Sequence, residues 1–142
     1  MTYTFDNDRY ILRMERGEQW TQVFAQFVKE TGCHSAWISG FGGLDAVTIG
    51  FFEFDTKDYR WKEFVQPLEM LSITGSISLN EQGQPMFHVH GVFGDKSYRT
   101  IGGHLGDFTI SVTAEIFIQP LNKQLHRKMD EKLRVQLLDL TD

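Results

Sequence analysis

The sequence predicts an α+β fold in which one helix near the N-terminus packs on a largely antiparallel sheet. Two observations predict it. A single segment carries the apolar spacing of an amphipathic helix, and almost everything after it is a series of β-rich segments separated by turn residues. With 142 residues, 41% of them hydrophobic, the chain is long enough for one domain, residues 1–142, with a substantial core. This composition excludes a disordered or fibrous protein.

The helix is predicted over residues 18–31. Its apolar residues follow the i, i+3, i+4, i+7, i+8 spacing of one helical face; they are Trp20, Val23, Phe24, Phe27 and Val28. Glu18 stands where the helix dipole favours an acid, and Gly32 stands where a C-terminal cap is expected.

The remaining elements are predicted strands. One, at residues 9–14, precedes the helix, and the others are expected at residues 35–39, 46–54, 59–64, 69–79, 86–93, 98–105, 108–118 and 135–140. The glycines of residues 40–43 indicate a turn or bulge. Gln66 and Pro67 are expected to separate two strands, because proline lacks the N–H that a sheet ladder needs.

Charge and cysteine content exclude several classes of protein. The formal net charge is -5, whereas proteins that bind DNA through their overall charge carry a basic excess, so DNA binding is disfavoured. Cys33 is the only cysteine, which excludes an intramolecular disulfide and a multi-cysteine zinc site. The N-terminus has no signal-peptide pattern, and no apolar run is long enough to span a membrane, so we expect a cytoplasmic protein.

Three histidines are predicted to converge on one face of a hairpin. His88 and His90 are two positions apart on a strand, so both side chains leave the same face. A hairpin centred on residue 96 would place His104 directly across from His88. The alternative interpretation is that all three are polar surface residues of the hairpin.

Three imidazoles on one face suit a divalent transition metal, most often zinc, with a fourth position open to water or another ligand. Gly102 and Gly103 remove side chains beside His104, which allows a backbone or a ligand to approach closely. Both glycines are therefore candidate pocket residues.

Three charged residues inside apolar strands are further candidates. Glu115 follows His104 on a later strand segment. Its carboxylate either faces solvent, or it orients a ligating histidine or accepts a proton near the metal as a catalytic residue. Arg13 and Glu69 are candidate pocket residues that could pair with each other.

Other motifs favour structural interpretations. The glycines after residue 39 are followed by a β-rich segment rather than a helix, which excludes a dinucleotide-binding loop. Cys33 and His34 are adjacent and would point to opposite faces of a strand, which disfavours a catalytic pair. The basic segment 121–134, with His126, carries interleaved acids and is interpreted as a solvated face.

At these residues the sequence resembles the plant and prokaryote conserved (PPC) domain, also called DUF296. The resemblance rests on the Pro-x-x-His-x-His pattern at residues 85–90 and the Gly-Gly-His-Leu segment at residues 102–105. Supporting matches are Arg13 through Glu18, the Pro-Leu-Glu-x-x-Ser-x-x-Gly pattern at 67–75 and Thr113-Ala114-Glu115. The resemblance covers nearly the whole chain, roughly residues 10–138.

The resemblance implies an α+β homotrimer, with the histidine trio as ligands in some metal-containing prokaryotic members. Plant members join this domain to a basic AT-hook that enters the minor groove of DNA, and this chain has no such element. The leading hypothesis is therefore a standalone member that binds or transforms a small molecule at a metal site, whether or not it is an enzyme. The alternatives are a DNA-binding or transcription-associated protein, and an oligomeric interaction module with a structural metal.

Overall fold

The structure is a computed structural model, and it describes residues 1–141. One helix and eight strands follow each other in the order β1 (Thr2–Asp6), β2 (Arg9–Glu15), α1 (Trp20–Thr31), β3 (Ala36–Glu53), β4 (Asp58–Leu79), β5 (Pro85–Gly94), β6 (Thr100–Pro120), β7 (His126–Asp130) and β8 (Val135–Asp139). The predicted class is confirmed: the protein is mostly antiparallel sheet with one helix near the N-terminus.

Helix α1 begins two residues later than predicted and ends where the glycine cap was expected. Gly32 has a φ of 69°, and its backbone N–H donates to the carbonyl of Val28. Glycine adopts this left-handed conformation without the steric cost that a Cβ would bring. Glu18 lies before the first turn, which contains no acid, and its carboxylate pairs with the amino group of Met1. Glu18 therefore lies just before the N-cap residue Gln19 and not in the first turn of the helix.

Three long strands and β5 form a closed ring. Strand β3 pairs with β4 and β6, and β5 pairs with the same two strands. The ring holds β5 on both sides from His90 to Gly94, whereas His88 pairs only with β4. Strands β1 and β2 continue the sheet beyond β6.

Strand β4 runs unbroken through Pro67, so the predicted division at Gln66 and Pro67 is wrong. Leu68 pairs with Leu44 and Val65 pairs with Ala46, with a register shift between the two pairs. Pro67 therefore falls in an irregular stretch of the β3–β4 ladder, where a missing N–H disrupts no regular pairing. The glycines of β3 likewise mark register shifts within one continuous strand, and β6 unites two predicted strands.

The core lies between α1 and the inner face of the sheet. Trp20 packs against Phe108, and Phe24 packs against Phe87 of β5, with ring centroids 5.2 Å and 5.6 Å apart. Side chains alternate along a strand, so burying Phe87 and Val89 toward the helix turns His88 and His90 to the opposite face. The hydrophobic pattern of β5 thus fixes the orientation of both histidines.

The C-terminal hairpin consists of β7 and β8. It joins the main sheet through one parallel pair, Leu79 with His126. The predicted last strand is confirmed, whereas the solvated face expected for residues 121–134 is wrong at Arg127, which is only 6% exposed. His126 is exposed, as expected. Among the described residues, α1 falls short of the length and apolar character that a membrane-crossing helix needs.

Candidate metal centre

The structure brings the three predicted histidines together, with a corrected register. His104 lies directly across from His90, and His88 lies across from Ser76 of β4. The expected His88–His104 pairing is wrong because the connecting loop, residues 95–99, is centred on residue 97. The Asp95 carboxylate stabilises this loop by accepting hydrogen bonds from the backbone N–H groups of Ser97 and Arg99.

The three rings converge closely enough to share one ion. One ring nitrogen from each histidine can be chosen so that all three lie within 4.8 Å of one another. The Nε2 atoms of His88 and His90 are 3.3 Å apart. Two nitrogen ligands of one tetrahedral zinc, each about 2.0–2.1 Å from the metal, stand about 3.3–3.4 Å apart. The donor set and its spacing therefore fit a divalent metal.

Burial favours the neutral imidazoles that a metal requires. The pKa of His104 is lowered to about 4, chiefly by burial and then by the positive potential of His88, His90 and Arg127. Burial also lowers the pKa of His88, with Arg127 and His90 as smaller causes. A neutral ring keeps a free lone pair. Protons therefore compete only weakly with a metal ion for these ring nitrogens.

Aromatic side chains hold His104 in place. Its ring stacks on Tyr59 at 4.6 Å and contacts Trp61 edge-on at 5.8 Å. The Nδ1 atom of His104 is buried and finds no hydrogen-bond partner among residues 1–141. Buried polar atoms are normally satisfied, so an unpartnered imidazole nitrogen in this cluster fits a ligand-binding site. His90 is exposed, which leaves the cluster accessible from solvent.

The two candidate glycines permit close approach of neighbouring strands. A Cβ on Gly102 would stand 2.7 Å from the carbonyl oxygen of Gly91, and one on Gly103 would stand 2.8 Å from that of Gly50. Both glycines also line a cleft of about 260 Å³ beside His90. They therefore allow the strands that carry the histidines to lie against their neighbours.

The structure does not bring the three charged candidates to the cluster. Glu115 is exposed and lies eleven positions beyond His104 on β6, about 35 Å along an extended strand. Its backbone pairs with that of Arg13, whose guanidinium forms an ion pair with Glu15 at 3.0 Å. Two strands separate Arg13 from Glu69, so these residues do not pair. Glu69 lines a different cavity, beside Asp95 and Tyr98.

Sequence reasoning missed Arg127 and Gln136, which approach the cluster from the C-terminal hairpin. Both line a cavity of about 250 Å³ together with His88 and His104. Within its own segment Arg127 is one basic residue among several, and nothing local separates the buried one from its exposed neighbours. Only the packing of β7 on β4 buries Arg127 while the other basic residues of the segment stay exposed.

The fold and the cluster define a sheet-rich α+β protein with a candidate three-histidine metal site. A sequence model of the Plants and Prokaryotes Conserved (PCC) domain matches residues 1–122, and the chain belongs to this family. The resemblance predicted from its histidine and glycine motifs is thereby confirmed. No curated protein matches the sequence.

Solved structures agree with this assignment. A protein from Bacteroides thetaiotaomicron, named as a proposed DNA-binding protein, is 25% identical with a TM-score of 0.92, over 97% of this chain and 96% of that one. A metal-containing protein from Archaeoglobus fulgidus is 29% identical with a TM-score of 0.85, over 96% and 97%. A plant- and prokaryote-conserved protein from Pyrococcus horikoshii is 25% identical with a TM-score of 0.84, over 99% and 96%.

Proposed function

We propose that this protein holds a divalent metal, zinc, through His88, His90 and His104, and binds or transforms a small molecule at the open coordination position. The observation that carries the proposal is the convergence of three ring nitrogens within 4.8 Å. Three protein ligands with a fourth position open are typical of catalytic rather than structural zinc sites. Such a metal polarises a ligand oxygen or activates a bound water. The metal-containing relative from Archaeoglobus fulgidus supports the assignment.

Metal content tests the site. Elemental mass spectrometry on untagged protein is expected to give near-stoichiometric zinc for the wild type and a loss of metal in His104→Ala. His126→Ala is the matched control, because His126 is an exposed histidine outside the cluster. Equal metal content in wild type and His104→Ala, or no uptake after incubation with zinc, would overturn the proposal.

The open position distinguishes a ligand site from a structural metal. Cobalt(II)-loaded protein is expected to change its visible spectrum when a small ligand enters the coordination sphere. If the metal serves structure only, as in an interaction module, chelation lowers Tm while no small molecule changes the spectrum. Turnover in a metabolite screen would make the protein an enzyme, and its absence would leave a binding site.

We further propose that the chain forms a homotrimer. Large apolar side chains are exposed on strands β3 to β6; they are Trp37, Phe41, Phe51, Trp61, Val65, Leu71, Val92 and Val112. Exposed apolar area of this kind favours association. Light scattering coupled to size-exclusion chromatography is expected to give three times the 16.4 kDa chain mass, and a monomer across micromolar concentrations would contradict it.

DNA binding is the second candidate, because the Bacteroides thetaiotaomicron relative is named for it. The net charge of -5 opposes it, since phosphate contacts need a basic surface. We expect no retardation of duplex DNA by micromolar protein at low salt. A salt-dependent mobility shift would favour this candidate over the small-molecule function.

A further inference from the structure

The cavity between the histidine cluster and the C-terminal hairpin contains a buried cation that the metal site does not explain. His88 and His104 form part of its wall, and Arg127 and Gln136 form another part. Arg127 is 6% exposed, so little of this residue contacts water. A buried charge of this kind normally has a charged partner.

Arg127 has only neutral partners among residues 1–141. Its Nε donates to the Ser78 hydroxyl at 2.9 Å, Nη1 donates to the Gln136 carbonyl at 3.1 Å, and Nη2 donates to the Ser76 hydroxyl at 3.3 Å. No carboxylate in that range lies within ion-pair distance. A guanidinium has five N–H groups, so one on each terminal nitrogen keeps its donor capacity.

Two exposed residues of the cavity lining add positive charge. Lys57 and Arg134 are exposed residues of its lining, and Asp58 is the only acid there. The Asp58 carboxylate accepts a hydrogen bond from the backbone N–H of Tyr59. Three cations against one carboxylate make the cavity locally positive although the chain is acidic overall. A concave surface of one charge concentrates ligands of the opposite charge.

A further polar atom of the cavity wall is unsatisfied. Among residues 1–141, the Oε1 atom of Gln136 is buried and finds no hydrogen-bond partner. An amide oxygen accepts hydrogen bonds, so it would pair with a donor group of a ligand and not with a carboxylate.

We propose that this cavity binds the carboxylate of a small organic acid, with Arg127 as its anchor and the rest of the ligand directed toward the histidine cluster. The planar guanidinium edge matches a carboxylate, which can accept two parallel hydrogen bonds. Met86, Met129 and Val135 line the remainder and suit a short carbon chain. The volume of about 250 Å³ lies below the roughly 300–1,000 Å³ of pockets for drug-sized ligands, which restricts the ligand to a small molecule.

The inference rests on the proposed function and specifies the ligand class of that site. It also assigns the selection of the ligand to the C-terminal hairpin. The family match ends at residue 122, and Arg127, Arg134 and Gln136 all follow it. The histidines and the anion anchor therefore come from different parts of the chain.

Calorimetric titration of the zinc-loaded full chain with butyrate and with butyramide tests the proposal. The two probes share their carbon skeleton, and only butyrate is anionic. Wild type is expected to bind butyrate at least tenfold more tightly than butyramide. Arg127→Gln is expected to lose this preference while keeping its zinc. Arg60→Gln is the matched control, because Arg60 is exposed and paired with Glu53 outside this cavity.

A second variant covers the case in which Arg127→Gln does not fold, as judged by circular dichroism. Lys57→Gln combined with Arg134→Gln changes only exposed residues and is expected to weaken butyrate binding two- to tenfold without affecting butyramide. Equal affinity for the two probes, wild-type butyrate affinity in folded Arg127→Gln, or tighter binding of inorganic phosphate than of butyrate would each overturn the assignment.

Metal content measured on the same samples separates the two proposals. Bound zinc with no butyrate preference would overturn this inference alone. A chain that takes up no zinc would overturn the proposed function, and butyrate titration of the metal-free protein would then test Arg127 by itself.

Discussion

His90 and His104 oppose each other directly across the β5–β6 ladder, and their rings stand 5.2 Å apart and nearly perpendicular. His88, two residues before His90, completes the cluster with its ring centroid 5.1 Å from that of His104. Strand pairing alone thus assembles three ligands from two chain segments. Changes that move β5 against its neighbours should therefore affect the cluster even when they leave every histidine in place.

Gly75 is the position where this dependence is sharpest. A Cβ there would stand 2.1 Å from the carbonyl oxygen of His88 and 2.7 Å from Cα of Val89. Gly75→Ala is therefore expected to push β5 from β4, to destabilise the fold by about 1–3 kcal/mol and to weaken zinc binding. Gly94→Ala is the control, since its Cβ would meet only Leu71 side-chain atoms at 3.6 Å or more. Urea denaturation and zinc titration of both variants measure the effect; equal behaviour would contradict the argument.

The stability of the metal-free protein should depend on pH through His104. Its pKa falls from an ordinary 6.5 to about 4 in the folded protein, chiefly through burial. Between these values the unfolded chain binds more protons, so the free energy of unfolding decreases as the pH is lowered. The loss of stability begins below about pH 6.5 and continues as the pH falls toward about 4.

Melting temperatures of wild type and His104→Gln across this range test the pH dependence. We expect the wild type to lose more stability than the variant on acidification. Excess zinc should shift the loss to lower pH, because protons and metal compete for the same nitrogens. Parallel curves for the two proteins would exclude His104 as the responsible group.

Ser78 connects the C-terminal hairpin to the sheet. Its side chain is fully buried and accepts the hydrogen bond from Nε of Arg127. Ser78→Ala leaves a buried charged donor without its partner, and we expect it to lower the free energy of unfolding by about 1–3 kcal/mol. Exposed Ser72 on the same strand provides the matched Ser72→Ala control, expected to change stability little. Chemical denaturation distinguishes them, and equal stability would contradict a structural contact here.

Cys33 should resist alkylation in the folded protein. It is 8% exposed, and burial raises the pKa of its thiol, so the reactive thiolate is both scarce and inaccessible. Reaction with iodoacetamide is expected to be at least tenfold slower than in urea-unfolded protein. Equal rates, followed by mass spectrometry, would show that this end of α1 opens readily.

The helix and most strands could be predicted because their signals are local. Spacing at residues 20–28 defines one apolar face, and the alternation around Phe87 and Val89 turns His88 and His90 outward together. Strand continuity was harder to predict. A break was predicted at Pro67 because proline has no N–H to donate to a partner strand. The register shift against β3 removes the need for that N–H, and this shift is visible only in the tertiary structure.

The sequence by itself determined the α+β class, the family, and the three histidines as one group, because residue type, spacing and alternation are properties of neighbouring positions. Tertiary structure decided the register that sets His104 opposite His90, the separation of Glu115 from the cluster, and the burial of Arg127 beside it. Each depends on how segments far apart in sequence pack together. Arg127 lies near the histidines because the β7–β8 hairpin packs against the end of β4.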